Sequence, residues 1–248
     1  MVMKKSKTRL YVNKKLSPNI IIYIKDKQHH FLRNVIRIKI QDQVTLFDGV
    51  TGEWSSQVIS INRDNVVLQV SKKNRDLKVE SDLWLIFAPI KSYRMNIMIQ
   101  KATELGVTRL LPCITQNTNM QRINIRNFNM NIIEAAEQCE RLSLPILEKS
   151  YKLDDLLISF PKDRGLVFCN ENHRGISTIN NEVNKYKNKF DKWAILIGPE
   201  GGFSEKETNN IQSLKNSISV SLGSRILRSD TASSAAIFSV QSIIENDL

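Results

Sequence analysis

Cysteine and histidine are scarce in this chain of 248 residues, with three of each. Cys113, Cys139 and Cys169 stand far apart, while two histidines are adjacent and the third is remote. Neither set has the ligand spacing of a zinc site, and an odd, scattered set of cysteines builds no disulfide framework. We therefore expect reduced, buried cysteines and no bound metal.

Long apolar runs are missing as well. None approaches the ~20 residues needed to cross a bilayer, and the basic opening MVMKKSKTRLYVNKKL lacks the apolar core of a signal peptide. These absences predict a cytoplasmic protein without membrane association. With 41% hydrophobic and 25% charged residues, the composition is that of a globular protein with one large or two modest domains.

Positive charge is what the sequence has in excess. The net charge of +11 and the pI near 9.6 favour a polyanionic partner, because clustered Lys and Arg can replace the counterions of a phosphate backbone. The chain is also rich in Lys, Asn and Ile, a combination that coding bias can produce without selection for binding. Charge alone therefore leaves nucleic-acid binding open.

Two regions of different periodicity follow one another. Up to about residue 71, short β-branched runs alternate with turn residues, which predicts a small β-barrel or curled sheet, interrupted by a short helix at KDKQHHFLRN. After the polar segment Ser71–Ser81, apolar strand-like runs alternate with helical stretches, which predicts a parallel sheet covered by helices on both faces. The predicted strands of the first region are RLYVN, VIRIKI, QVTLF, EWSSQVISI and NVVLQV.

A glycine turn, GPEGG, follows one predicted strand, WAILI, and precedes a Ser-x-x-Glu capping box at Ser204 to Glu207. In an open parallel sheet the ligand lies beyond the carboxyl ends of the strands, so this turn is a candidate site. It is neither a P-loop nor GxGxxG, and its acid, Glu200, would repel a phosphate. A phosphate-free or positively charged nucleoside such as S-adenosylmethionine (SAM) fits better, with a plain tight turn as the alternative.

A second glycine-containing strand end occurs at SLGSRILRSDTASSAA, residues 221–236. Ser229 or Asp230 is predicted to cap the helix that follows, and its small residues favour close packing. Two such strand ends close together in the last quarter of the chain predict two walls of one pocket.

Several collinear motifs resemble one known family. The matching segments are HFLRNV at 30–35, QKATELGV at 100–107, EQC at 137–139 followed by Arg141, LIGPEGGFS at 196–204 and LGSRILRSDTA at 222–232. Together they resemble the ribosomal RNA small subunit methyltransferase E family over nearly the whole chain.

The resemblance implies a fold and an activity. The fold is a PUA-like, RNA-binding β-barrel over residues 1–72 joined to an α/β SPOUT domain over residues 79–248, with a parallel sheet and a deep trefoil knot. The activity is methylation of N3 of one uridine in the 16S rRNA of the small ribosomal subunit, with SAM as the cofactor, by a homodimer. This chain departs from the family in having Asp230 where Glu is common and Asn117 where Arg is expected.

Candidate site residues follow from the motifs and the resemblance together. Arg228 is predicted to steady negative charge on the uracil oxygens, and Asp230 to orient Arg228 or accept the proton, with a helix N-cap as the alternative role of Asp230. The predicted RNA-binding residues are Arg9, Arg33, Lys91, Arg94 and Arg122, the last as the nearest substitute for the Arg that Asn117 replaces. The predicted cofactor-binding residues are Leu196, Gly198, Pro199, Glu200, Gly201, Gly202, Leu222, Gly223, Ile226 and Leu227.

Other functions stay open at this stage. The same fold can methylate a different RNA position or a ribose 2′-hydroxyl, and a ribosome-binding module without catalysis is a further alternative. A Rossmann dehydrogenase is the weakest one, since GxGxxG and its downstream ribose-binding acid are missing.

Overall fold

The computed structural model describes residues 8–119, 123–170 and 177–245, which divide into two compact units. The first unit combines the described residues up to 79 with residues 136–144, and the second combines 80–135 with the described residues from 145 onward. Each unit has its own sheet.

The first unit is built on five strands in the order β1-β3-β4-β5-β2. The β1–β3 pair is parallel and the other pairs are antiparallel. Apolar side chains such as Leu10, Leu46, Val58 and Leu68 form its buried core. The strands are β1 (Arg9–Tyr11), β2 (Ile21–Ile24), β3 (Gln43–Phe47), β4 (Glu53–Ile61) and β5 (Val66–Arg75).

The predicted helix at KDKQHHFLRN is confirmed, but the predicted strand VIRIKI is wrong. Helix α1 (Asp26–His30) continues as a π-helical segment, Phe31–Ile36, which takes in the first two residues of VIRIKI. Leu32 is fully buried and its carbonyl accepts from the N–H of Ile38 at 3.0 Å, which closes the helical segment. Arg37 then turns the chain in a left-handed conformation, so no strand can form there.

The polar segment that separates the two predicted regions, residues 71–81, begins inside a strand, because β5 runs on to Arg75. The guanidinium of Arg75 pairs with the buried carboxylate of Glu53, which holds this end of the strand in place. Residues 136–144 also belong to the first unit, since Arg9 donates to the carbonyls of Ala136 at 2.7 Å and Arg141 at 2.6 Å. A single linear boundary therefore does not describe the units.

The second unit is a parallel sheet in the order β12-β10-β11-β6-β7-β8, with β9 also paired to β7. Its strands are β6 (Asp82–Phe87), β7 (Arg109–Ile114), β8 (Ile146–Leu147), β9 (Tyr151–Lys152), β10 (Arg164–Cys169), β11 (Lys192–Ile197) and β12 (Ser217–Val220). Its helices are α2 (Ser92–Glu104), α3 (Ile125–Gln138, which runs into the first unit), α4 (Leu153–Ile158), α5 (Ile179–Tyr186), α6 (Glu205–Gln212) and α7 (Ser229–Ile244).

The central strands β6, β10 and β11 are buried on both faces, as expected for near-continuous apolar runs in a parallel sheet. Helices α4 and α6 pack with one face, where Phe168 and Leu196 lie, while α7 packs on β11 together with α2 and α5. The predicted α/β class is confirmed. The trefoil knot stays a prediction.

No helix in the described ranges is long and apolar enough to span a membrane. Those residues also contain no group of three metal-ligating side chains. All three cysteines are free. Cys113 is buried, but Cys169 is half-buried and Cys139 is exposed, so the expectation of three buried cysteines is wrong for Cys139 and only partly met by Cys169.

Candidate functional site

The glycine turn connects β11 to α6. Pro199 to Gly202 form a tight turn closed by a hydrogen bond from the Gly202 N–H to the Pro199 carbonyl at 2.9 Å, and Gly202 has a left-handed φ of +66°. Ser204 caps α6, and the predicted capping box with Glu207 is confirmed. Local sequence features, the glycines and the capping box, therefore determine both the turn and the start of the helix after it.

The second strand end lies at the same edge of the sheet, because β12 pairs with β10 and β10 with β11. Gly223 turns the chain there with a φ of +110°. The N-cap of α7 is Arg228, so the prediction that Ser229 or Asp230 caps this helix is wrong. The Ser229 hydroxyl instead donates to the Gly198 carbonyl at 3.0 Å, which ties the start of α7 to the glycine turn.

These segments enclose an open pocket of about 700 Å³, counting the part that opens to solvent. The lining residues come from the ends of β10 and β11, the glycine turn, the segment after β12 and the start of α7: Cys169, Asn170, Ile197, Gly198, Pro199, Gly202, Phe203, Ser221, Leu222, Gly223, Ser224, Arg225, Ile226, Leu227, Ser229 and Ala232.

Seven of the ten residues predicted to bind the cofactor line this pocket. The other three lie elsewhere. The side chain of Leu196 is fully buried in the core, the carbonyl of Gly201 accepts from the Asn117 side chain, and the carboxylate of Glu200 pairs with Arg94. Glu200 therefore does not set the charge of the pocket.

The described pocket walls combine apolar side chains with polar side-chain and main-chain groups, and they carry little charge. Burial raises the pKa of the Cys169 thiol to about 12, so this group is neutral at physiological pH. Among the described lining residues, Arg225, which is exposed, is the one with a charged side chain. Such a pocket suits a ligand that offers an apolar ring and polar groups for main-chain contacts, and its described lining contains no lysine that could pair with a phosphate.

Comparison with known proteins gives matches over both units. Residues 24–71 match the family described as the RNA methyltransferase PUA domain, and residues 77–241 match the RNA methyltransferase domain. A ribosomal RNA small subunit methyltransferase E from Rickettsia conorii is 34% identical over 235 residues, which cover 94% of both chains. The chain belongs to the ribosomal RNA small subunit methyltransferase E family.

Solved structures support this assignment. Lpg2936 from Legionella pneumophila, in complex with the bound cofactor SAM, is 26% identical, with a TM-score of 0.83 over 95% of this chain and 98% of that one. A ribosomal RNA small subunit methyltransferase E from Neisseria gonorrhoeae, bound to SAM, shares the fold at 24% identity, with a TM-score of 0.84 over 95% and 97%. The PUA-like and SPOUT-type architecture predicted from the family resemblance is confirmed.

The two predicted catalytic residues of this family member flank a residue that lines the pocket, Ser229. Arg228 is exposed at the N-cap of α7. Asp230 is half-buried in the first turn of α7, and its Oδ1 is buried without a hydrogen-bond partner among the described residues. Both residues therefore stand at the edge of the pocket, where α7 begins.

The predicted RNA-binding residues have different environments. The side chain of Arg9 is buried, pairs with Glu53 at 3.1 Å and donates to two carbonyls, so it stabilises the first unit, and its predicted RNA contact stays a prediction. Arg33 is exposed on the first unit, where it donates to the Asn62 and Arg63 carbonyls, and Lys91 is exposed at the N-cap of α2. Arg94 pairs with Glu200, and Arg122 lies outside the described residues.

Several pocket residues escaped the sequence analysis. Cys169 and Asn170 stand at the carboxyl end of β10, the strand beside β11, so the rule that ligands bind at this end of a parallel sheet was a usable signal. Phe203 and Ala232 line the pocket too, but both match the pattern of ordinary packing residues. Only the folded structure shows that they line a pocket and are not simply packed in the core.

Proposed function

We propose that this chain transfers a methyl group from SAM to N3 of a uridine in the 16S rRNA of the small ribosomal subunit. The observation that carries the proposal is the pocket at the carboxyl ends of β10, β11 and β12, which brings both glycine-containing strand ends together. Membership of the family supports the same activity.

The pocket fits SAM on chemical grounds. Gly223 lines it, and a Cβ added there would meet nothing within 4 Å, so the main chain is open to a flat ligand. We propose that Ile226 and Leu227, together with Gly198, Pro199 and Gly202, hold the cofactor, by apolar contact and main-chain hydrogen bonds. When bound, SAM supplies a methyl group on a positively charged sulfur.

The residues of the chain then have to align and activate the uridine. Its N3 carries a proton, so the base must lose that proton while negative charge spreads onto the carbonyl oxygens. We propose that Arg228 stabilises this charge, because it is exposed and directly precedes Ser229, which lines the pocket. We further propose that Asp230 accepts the proton or orients Arg228, since its buried Oδ1 has no partner among the described residues.

The test is to incubate the purified protein with methyl-labelled SAM and small ribosomal subunits that lack the modification, and then to locate the label. A labelled uridine N3 in 16S rRNA is the expected result. A label on another base or on a ribose 2′-hydroxyl would overturn the assignment of the target. SAM binding without any transfer would favour a ribosome-binding module.

The Arg228→Ala variant tests the proposed mechanism separately. We expect SAM binding within about twofold of wild type and a methylation rate lower by at least ~100-fold, the scale of losing one stabilising donor. A wild-type rate would remove Arg228 from the mechanism.

We also propose that the protein acts as a cytoplasmic homodimer, which the family resemblance implies. Light scattering on the purified protein would test the dimer, with a monomeric mass as the contrary result. Fractionation of cells would test the compartment, with recovery outside the cytoplasm as the contrary result.

A further inference from the structure

We infer that Asn117 and Glu207 form a brace that positions the glycine turn for SAM. The Nδ2 of Asn117 donates to the carbonyl of Gly201 at 3.0 Å and to that of Gly202 at 3.1 Å. Gly202 and its neighbour Phe203 line the pocket, whereas Asn117 and Glu207 do not. Both brace residues are therefore positioning residues, and the inference rests on the proposed function of the pocket.

The loop that carries Asn117 is itself fixed. It follows β7, where the Thr115 N–H donates to the Thr118 hydroxyl at 2.9 Å and the Thr118 N–H donates to the Thr115 carbonyl at 3.1 Å. Both threonines are buried. The Asn117 amide is thus presented from a closed turn, and a fixed donor restrains a flexible glycine turn better than a mobile one does.

Glu207 connects the same two segments from the other side. One carboxylate oxygen accepts from the Gln116 N–H at 2.7 Å, and the other accepts from the N–H and hydroxyl of Ser204 at 2.9 and 3.1 Å. Glu207 is also buried. It therefore acts as more than a helix cap, since it joins the loop after β7 to Ser204, two residues after the glycine turn.

The close approach of Asn117 explains a glycine that does not line the pocket. A Cβ added to Gly201 would lie 3.3 Å from the Cβ of Asn117, tighter than ordinary van der Waals contact. Gly201 has no left-handed φ, so its backbone conformation does not require glycine. Its small size instead lets the Asn117 amide reach both carbonyls.

Asn117→Asp is the substitution that tests the brace, because it keeps the shape of the side chain and replaces both N–H donors by an oxygen facing two carbonyls. Asn119→Asp is the matched control, since it adds the same charge at an exposed position of the same loop. Calorimetry with SAM and thermal melting without it give binding and stability separately. We expect the Kd for SAM to rise about tenfold or more in Asn117→Asp only, the scale of losing one or two hydrogen bonds.

Kinetics provide a further readout that a merely structural role would not change. The KM for SAM should rise with the Kd in Asn117→Asp, while kcat at saturating SAM stays within about twofold of wild type. Equal Kd values in the two variants would overturn the brace. Failure of the wild-type protein to bind SAM would instead overturn the proposed function.

If Asn117→Asp shows no cooperative melting transition, the test uses Asn117→Ala instead, because this variant removes the donors without adding charge. A folded Asn117→Ala protein with wild-type affinity for SAM would contradict the inference. Failure of both variants to fold would also overturn it, because Asn117 would then serve the fold and not the site.

Discussion

Replacing Gly198 by alanine should weaken SAM binding by pushing an aromatic ring into the pocket. A Cβ at this position would lie 2.6 Å from Cε2 of Phe203, whereas ordinary contacts begin at 3.4 Å, so the ring must move by about 0.8 Å. Phe168, fully buried, packs against Phe203 with ring centroids 5.3 Å apart and cannot yield. We therefore expect Phe203 to move toward the pocket that it lines.

The size of the effect follows from the cost of overpacking. Forcing an extra methyl group into a packed site costs about 1–3 kcal/mol. If the displaced ring has to return before SAM can bind, most of that cost is subtracted from the binding free energy. Since 1.4 kcal/mol corresponds to a factor of ten, the Kd for SAM should rise by about 5- to 100-fold. Isothermal calorimetry on Gly198→Ala measures this directly.

Gly165→Ala is the matched control, because its Cβ would lie 2.7 Å from the Trp193 ring, a similar overlap at the start of β10. Gly165 does not line the pocket. Urea unfolding should show comparable destabilisation of both variants, with SAM affinity lost in Gly198→Ala alone. Equal losses of affinity would mean that global stability is responsible, and unchanged affinity in Gly198→Ala would refute the reasoning about Phe203.

Two other predictions concern charge. Burial alone would raise the pKa of Glu53, but hydrogen bonds from Arg75 and Arg9 outweigh it and lower that pKa. A carboxylate of this kind stabilises the fold above its unfolded pKa of about 4.3, and this stability is lost as the pH falls through the lower folded pKa. Thermal melting between pH 7 and 3 should therefore show a weaker pH dependence in Glu53→Gln, and an unchanged one would contradict the assignment. Lys91→Ala should weaken RNA binding and reduce the salt slope of log K by about one, measured by titrations at several salt concentrations. An unchanged slope would exclude a phosphate contact at Lys91.

Local patterns predicted much of the fold. β-Branched runs between turn residues predicted QVTLF and EWSSQVISI, which are strands β3 (Gln43–Phe47) and β4 (Glu53–Ile61) with the same bounds. The same criterion predicted a strand at VIRIKI, although a buried Leu32 and a left-handed Arg37 make that stretch helical and then turn it. A run of β-branched residues shows which side chains are apolar, but not whether a strand or a helix buries them better.

The candidate site was predictable in position and less so in its details. The carboxyl-end rule and the glycine content identified the correct edge of the sheet. Glu200 was chosen for its charge, yet the turn directs its carboxylate to Arg94, more than 100 residues earlier in the chain. Arg9 was chosen for its charge as well, and it is buried against Glu53. In both cases the environment of the charged side chain depends on a partner that is distant in sequence, and no local sequence pattern identifies that partner.

The three glycines of the turn meet three different physical constraints, which explains why the motif tolerates so little side-chain volume. Gly202 adopts a left-handed φ, Gly198 lies against the ring of Phe203, and Gly201 lies against the side chain of Asn117. Alanine should therefore strain the backbone at Gly202, displace the Phe203 ring at Gly198 and loosen the Asn117 amide at Gly201. Only the effects at Gly198 and Gly201 depend on a neighbouring side chain. Replacing Phe203 or Asn117 by a smaller residue should relieve the corresponding effect and leave the strain at Gly202 unchanged.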